Sequence, residues 1–114
     1  MEIIINNNLF KVKCIKSKQD VEEGMMFKKF DDEFDGLLFL MPDKQHSFWM
    51  KNCIIPLDII FISNNKVSKI HHNCPPCDKD SCDHYPGSGN KVLEVLGGTC
   101  KDYDIVEGDR VYFN

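Results

Sequence analysis

Hydrophobic and polar residues alternate with a period of two along much of this chain, and short polar clusters interrupt the pattern. Residues 1–15, MEIIINNNLFKVKCI, begin with an apolar run, pause at Asn6, Asn7 and Asn8, and resume with Phe10, Val12 and Cys14 interleaved with Lys11 and Lys13. That period marks a half-buried strand, and asparagines tolerate the positive φ of a tight turn, so the segment predicts a β-hairpin. SKQDVEEG, residues 17–24, predicts a short helix. Ser17 can cap it, Asp20, Glu22 and Glu23 suit its positive end, and Gly24 can close it in a left-handed conformation.

Further along, GLLFLM (36–41) is a continuous apolar run, the pattern of a strand buried on both faces, with Pro42 as its stop. HSFWM (46–50) predicts a shorter strand, and LDIIFIS (57–63) turns at Asn64 and Asn65 into KVSKIHH (66–72) as a second hairpin. From Asn73 to Asn90 the periodicity lapses among prolines and glycines. This stretch exceeds the ~12–15 residues usual for a structureless connection, which predicts a functional loop. KVLEVLGG (91–98) resumes as a strand, TCKDYDI (99–105) as a helical turn or irregular crossing, and EGDRVYF (107–113) as the last strand. About seven or eight short strands with one or two short helices give a mainly β, α+β fold, a compact, strongly bent antiparallel sheet or partly closed barrel. We expect a single domain over residues 1–114.

Composition narrows the partners. With 42% hydrophobic residues and a formal charge of −4, the chain can bury a core, and its scattered basic residues argue against nucleic acid. No apolar stretch approaches the ~18 residues of a membrane span, so a cytoplasmic protein is expected. Thiols usually stay reduced in that compartment, which turns attention from a disulfide framework to metal binding or reactive thiols.

The cysteines concentrate in HHNCPPCDKDSCDH, residues 71–84. Cys74, Cys77, Cys82 and His84 supply four zinc-type ligands, with zinc the candidate cofactor, although one residue between Cys82 and His84 makes a cramped tetrahedron. Structural zinc contributes about 10–16 kcal/mol in small modules, enough to offset much of the cost of ordering such a loop. A Cys77–Cys82 cross-link would instead close a small loop and contribute about 2 kcal/mol. Reduced cysteines used for packing are the third reading. Pro75 and Pro76 argue against thioredoxin-like chemistry, because Cys77 then follows a rigid extended turn and not a helix N-terminus.

A second constellation is WMKN with PLD. Lys51 brings a cation, Asn52 both donor and acceptor, Asp58 a carboxylate and Trp49 a stacking face, with Tyr85 a further ligand-binding candidate from the loop. The competing structural reading has Asn52 and Asp58 satisfying turn backbone, Lys51 paired with Asp58, and Trp49 in the core. His71 and His72 are adjacent on a strand, so at most one of them lines any pocket. Glu94, between Leu93 and Val95, is either a solvent-side residue or a carboxylate projecting into a cleft.

The run HSFWMKNCIIPLDIIFI, with Trp49, Met50, Lys51, Asn52, Pro56, Leu57 and Asp58 in order, resembles the bacterial and archaeal family known as domain of unknown function 192. EEGMMF, DGLLFLM, PPC followed by a second cysteine and a tyrosine, VLEVLGG and EGDRV are similar to that family's other segments. The resemblance covers essentially the whole chain. It implies a compact β-rich domain and no particular reaction, and it matches Cys77 and Cys82 to the family's two cysteines. Cys74 stands where the family more often has methionine, and Cys53 where it has threonine.

The functional expectation is a non-enzymatic small-ligand-binding domain, its site lined by Trp49, Lys51, Asn52 and Asp58 and covered by the loop from Asn73 to Asn90. Sequestration of a nucleotide-like or other anionic small molecule is the sharper form, and the Asn- and Lys-rich composition suits an AT-rich genome, a viral one included. Two alternatives stand beside it: a metal- or thiol-dependent hydrolase using residues 71–84, and a protein-interaction module using a sheet edge. Catalysis is the less favoured because no spacing orients Cys77 with His71 or His84, and no oxyanion hole or phosphate-cradling loop is visible.

Overall fold

Turn chemistry and strand alternation set the order of elements. A computed structural model describes residues 1–114. Its elements are β1 (Glu2–Ile5), β2 (Asn8–Ile15), α1 (Lys18–Glu23), β3 (Gly36–Trp49), β4 (Leu57–Ser63), β5 (Lys66–Cys74), β6 (His84–Leu96), α2 (Thr99–Asp102) and β7 (Val111–Phe113). Asn6 and Asn7, then Asn64 and Asn65, take positive φ at the two hairpin turns, the conformation that matches strand twist. Ser17 caps α1 by accepting a hydrogen bond from Asp20 N, and Gly24, at φ 47°, ends it.

One seven-stranded sheet runs in the order β5-β4-β6-β3-β2-β1-β7. Every neighbouring pair is antiparallel except β2–β3, which is parallel and needs the long crossover that carries α1. The sheet curls until the start of β5 touches the segment that enters β7, the rest of the two edges staying apart. Val67 N donates to Asp109 O, Gly108 N to Val67 O and Val111 N to Asn65 O, each at 2.8 Å. The expected bent, partly closed barrel is therefore a half-barrel with one parallel join. No helix is long and apolar enough to cross a membrane.

β4, the first residues of β3 (36–39) and the later part of β6 (92–95) are buried on both faces, which explains their nearly continuous apolar runs. Leu38, Ile60, Ile62, Leu93 and Val95 face the barrel interior with Ile3, Ile5, Phe10 and Val111. Leu37, Phe39, Leu57, Ile59, Phe61 and Val92 face the other way, into a second core closed by Met25, Met50, Cys53 and Cys74. Side-chain parity thus assigns each residue of these strands to one of two compartments.

Several boundaries depart from expectation: the last strand begins at Val111 and not at Glu107, and HSFWM continues β3 and is not a strand of its own. Pro42 does not stop β3, because the β3–β6 register shifts between Leu40 and Lys44 and the proline sits within that irregularity, where a missing N–H costs little. Nor are residues 84–90 loop: they belong to β6, and residues 84–89 pair with β3 from Lys44 to Trp49 despite Pro86, Gly87 and Gly89. A Cβ on Gly87 would overlap the Phe61 ring, so glycine here makes room for a buried aromatic.

A cleft floored by Glu94

Three segments meet beside the second core. The end of β3 brings Ser47, Phe48 and Trp49; the segment after it brings Lys51 and Cys53; α1 and the residues behind it bring Val21, Glu22, Glu23, Met25 and Met26. Met26 bridges to Cys53, and Phe27 N donates to Asn52 O at 2.9 Å, which ties the helical side to the strand side. The cleft between them has a volume of about 210 Å³, with Phe39 and Glu94 at its floor.

Glu94 follows from parity. It lies on the same face of β6 as Val92, opposite Leu37 of β3 and Ile59 of β4, both buried. Only 3% of it is exposed. Burial alone pushes its carboxyl up to about 8, with no hydrogen bond or partner charge to offset it. No buried side-chain oxygen or nitrogen is sealed away without a partner, so the Glu94 oxygens find their outlet in the cleft they line. Burial, and then the nearness of Glu94, pushes the Cys53 thiol up to about 12; burial, Asp58 and Glu94 do the same for Cys74. Both thiols are poor nucleophiles at neutral pH.

Asp58 shows what the same fold does with a carboxyl it needs. Fully buried on the opposite face of the sheet, it accepts hydrogen bonds from Asn73 N (2.7 Å), Gly98 N (3.1 Å) and Cys100 N (2.8 Å). It fixes the turn into α2 to the end of β5. It does not join Trp49 and Lys51, because strand alternation sends it to the other compartment, and the structural reading of this residue is the one the geometry carries.

The remaining expected ligand residues divide. Trp49, 44% exposed, and Lys51 line the cleft. Asn52 stands at its margin in a left-handed conformation, φ 61°, with its backbone N donating to Cys77 O at 2.8 Å. Tyr85 lies elsewhere, against His71 and along a shallow groove with Pro75, Pro76 and Cys77.

The metal set is not assembled. Cys77 and Cys82 form a disulfide, Cα–Cα 6.1 Å, which takes two of the four expected zinc ligands. Cys74 is buried in the second core, and His84 stacks on Trp49 with ring centroids 6.2 Å apart. No group of three or more His, Cys, Asp or Glu side chains is placed to hold an ion. In the cross-link Cys77 carries no free thiol. The cross-linked loop instead braces the cleft wall: Cys77 N donates to Met50 O at 3.3 Å, and the Lys51 ammonium reaches the Lys79 carbonyl.

A larger cleft of about 340 Å³ lies on the far side of Gly24 and Met25. Lys13, Lys28 and Lys29 there face Asp20, Asp31 and Glu33, all of them exposed, and no buried polar group points into it. The smaller cleft, with its buried carboxyl, is the better candidate.

The family model for domain of unknown function 192, described as an uncharacterized ACR, matches residues 1–113. The chain belongs to the DUF192 family. Among solved structures it is similar to a protein of unknown function from Novosphingobium aromaticivorans DSM 12444, at 30% identity and TM-score 0.87, over 98% of this chain and 84% of that one. It is also similar to a Sinorhizobium meliloti 1021 protein described as a "putative transcription regulator", at 26% identity and TM-score 0.81, over 97% and 89% of the two chains. No curated protein matches the chain. This DUF192 chain therefore shares its half-barrel with relatives whose descriptions name no ligand or reaction.

Proposed function

We propose that this domain binds a small organic ligand in the cleft floored by Glu94 and does not transform it. The carrying observation is the buried Glu94 carboxyl, unpartnered within the protein and open only to the cleft. A buried polar group without a partner costs stability, and a ligand that supplies the missing hydrogen bonds recovers that cost. Trp49, 44% exposed, adds aromatic surface to the lining. Binding without turnover fits the surroundings: Cys53 is held as a thiol, and the exposed Ser47 Oγ lies 3.4 Å from His84 Nδ1, a long contact for an activated nucleophile.

The sulfur chemistry bears on compartment. Three of the four free cysteines are buried, which fits a compartment that keeps thiols reduced, and there the Cys77–Cys82 cross-link that braces the cleft wall is the bond that reduction would open. The role that fits a cleft that binds without turnover is sequestration of a small molecule.

Native mass spectrometry of the freshly purified protein, followed by a metabolite screen read by Trp49 emission, tests the reading. Trp49 is the only tryptophan and lines the cleft, so its emission reports occupancy. The expected result is a retained organic mass, or a saturable emission change, that disappears in Glu94→Gln. A bare mass with no emission response across the screen overturns it.

A further inference from the structure

We infer that the ligand of the Glu94 cleft is a small organic cation with planar N–H donors, such as an amidinium, a guanidinium or a protonated aminoheterocycle, with its donors on Glu94 and its face toward Trp49. The inference rests on the ligand-binding reading above and adds the chemical class of the ligand.

Charge comes first. Glu22, Glu23 and Glu94 line the cleft against one cation, Lys51, whose ammonium is turned to the Lys79 carbonyl of the cross-linked loop. An anion entering here meets Glu22 and Glu23 at the cleft wall with no free ammonium to receive it, which disfavours the anionic ligand expected from the sequence. Apart from Glu94, the inner wall is Met25, Phe39, Phe48 and Cys53. A purely apolar guest would leave Glu94 without a partner, at a cost of about 1–3 kcal/mol or more. Paired N–H donors in a plane satisfy both carboxyl oxygens at once, the fork geometry that makes such pairs strong.

Size and shape agree. At about 210 Å³ the cleft is smaller than the ~300–1,000 Å³ of sites for drug-sized ligands, so it takes one ring or planar group and not a whole nucleotide. Trp49, which lines the cleft, is 44% exposed and stacks on His84, supplies aromatic surface for a planar cation.

Proton linkage follows. In the empty cleft burial holds the Glu94 carboxyl protonated at neutral pH. When a cation docks, the Glu94 O–H bond breaks, the proton leaves to solvent, and the carboxylate pairs with the ligand's N–H donors. The other titratable and charged groups around Glu94 are Cys53 beside the cleft, Cys74 from β5, Glu22 and Glu23 from α1, and Lys51; Asp58 lies on the opposite face of the sheet. Cys53 and Cys74 are pushed up to about 12 and stay neutral across the relevant range.

Benzamidine, benzamide and benzoate have one shape and three charges, and titration with each from pH 6 to pH 9 tests the inference, with the disulfide kept intact. Trp49 emission gives the affinity, and calorimetry in two buffers of different ionisation heat gives the protons released. Benzamidine is expected to bind with an affinity that rises about tenfold per pH unit from pH 6 to pH 7 and levels above about pH 8, releasing close to one proton at pH 7. Glu94→Gln should weaken it at least tenfold at pH 8 and flatten the profile, while its circular dichroism and cooperative unfolding stay native. Should benzamide or benzoate bind more tightly than benzamidine, and lose affinity in Glu94→Gln, the cation class falls and the cleft stands. Benzamidine binding that ignores Glu94→Gln also overturns the inference. If none of the three binds, the cation class falls, and the metabolite screen decides the cleft separately.

Discussion

Replacing Glu94 by glutamine should make the protein more stable at neutral pH, and by an amount that depends on pH in a defined way. The Glu94 carboxyl is pushed from its ordinary 4.5 up to about 8 by burial. Above pH 4.5 the unfolded chain gives up this proton while the native chain keeps it, so the unfolded state binds fewer protons and stability falls as pH rises. The fall is about 1.4 kcal/mol per pH unit in the middle of the window, and it ends near pH 8, where the native carboxyl also ionises. Between pH 5 and pH 7 the loss integrates to about 2.5 kcal/mol, and above pH 8 it approaches a plateau of about 5 kcal/mol. Glutamine has nearly the same shape and no proton to lose.

The quantity to measure is the difference in unfolding free energy between Glu94→Gln and the parent protein, from urea curves followed by Trp49 emission at pH 5, 6, 7 and 8. Histidines and exposed acids are common to both proteins and cancel in the difference. The thiols at Cys53, Cys74 and Cys100, all pushed up by burial, titrate above the window. The gap in favour of glutamine should widen by about 2.5 kcal/mol from pH 5 to pH 7 with the m-value unchanged. A gap that stays constant within about 0.5 kcal/mol would show that the Glu94 carboxyl is well solvated, and would remove the reasoning that makes it a binding group.

Asp58→Ala should cost at least about 3 kcal/mol by thermal or urea unfolding, since the N–H groups of Asn73, Gly98 and Cys100 lose their acceptor, and a loss below about 1 kcal/mol would contradict the role assigned to it. Gly87→Ala should cost about 1–3 kcal/mol by overpacking against Phe61, visible as a lowered urea midpoint at constant m; no change in midpoint would mean that Phe61 yields freely. Cys82→Ser should cost about 2 kcal/mol through loss of the small cross-linked loop, with a shift in Trp49 emission because residues 50–52 lose their brace; an unchanged spectrum would uncouple loop and cleft.

Much of this architecture is written in local pattern. Alternating apolar residues marked β2, apolar runs marked the two-sided strands, and the asparagine pairs marked both tight hairpins. What misled was punctuation inside strands. Pro42, Pro86, Gly87 and Gly89 have the composition of loop, yet Pro42 occupies a register shift and Gly87 yields space to Phe61, which only the tertiary arrangement reveals. The site divides likewise. Trp49 and Lys51 are legible because they sit together in one short segment. Asp58 is not, since alternation shows that it shares a face with Ile60 and Ile62 but not which face holds the cleft. Glu94 does carry a signal, a single acid inside VLEVL, and its meaning depends on whether β6 is covered on both sides.

Asp58 and Glu94 together give the strongest reason to read the cleft as functional. Asp58 pairs with Val95 across the β4–β6 ladder, so the two acids occupy neighbouring positions of one sheet and project from opposite faces. Both are withdrawn from water. The fold aims three backbone N–H groups at Asp58 and none at Glu94. A domain whose whole stability is about 5–15 kcal/mol gains nothing structural from a carboxyl that costs several of them, and valine, as at position 92 on the same face, would fill the space without that cost. A ligand that pairs with the carboxyl reverses the cost and stabilises the folded state in proportion to its occupancy. Affinity for a cation and loss of stability with rising pH then have a single cause. Both must vanish together in Glu94→Gln; if one survives the substitution, that effect originates elsewhere in the molecule.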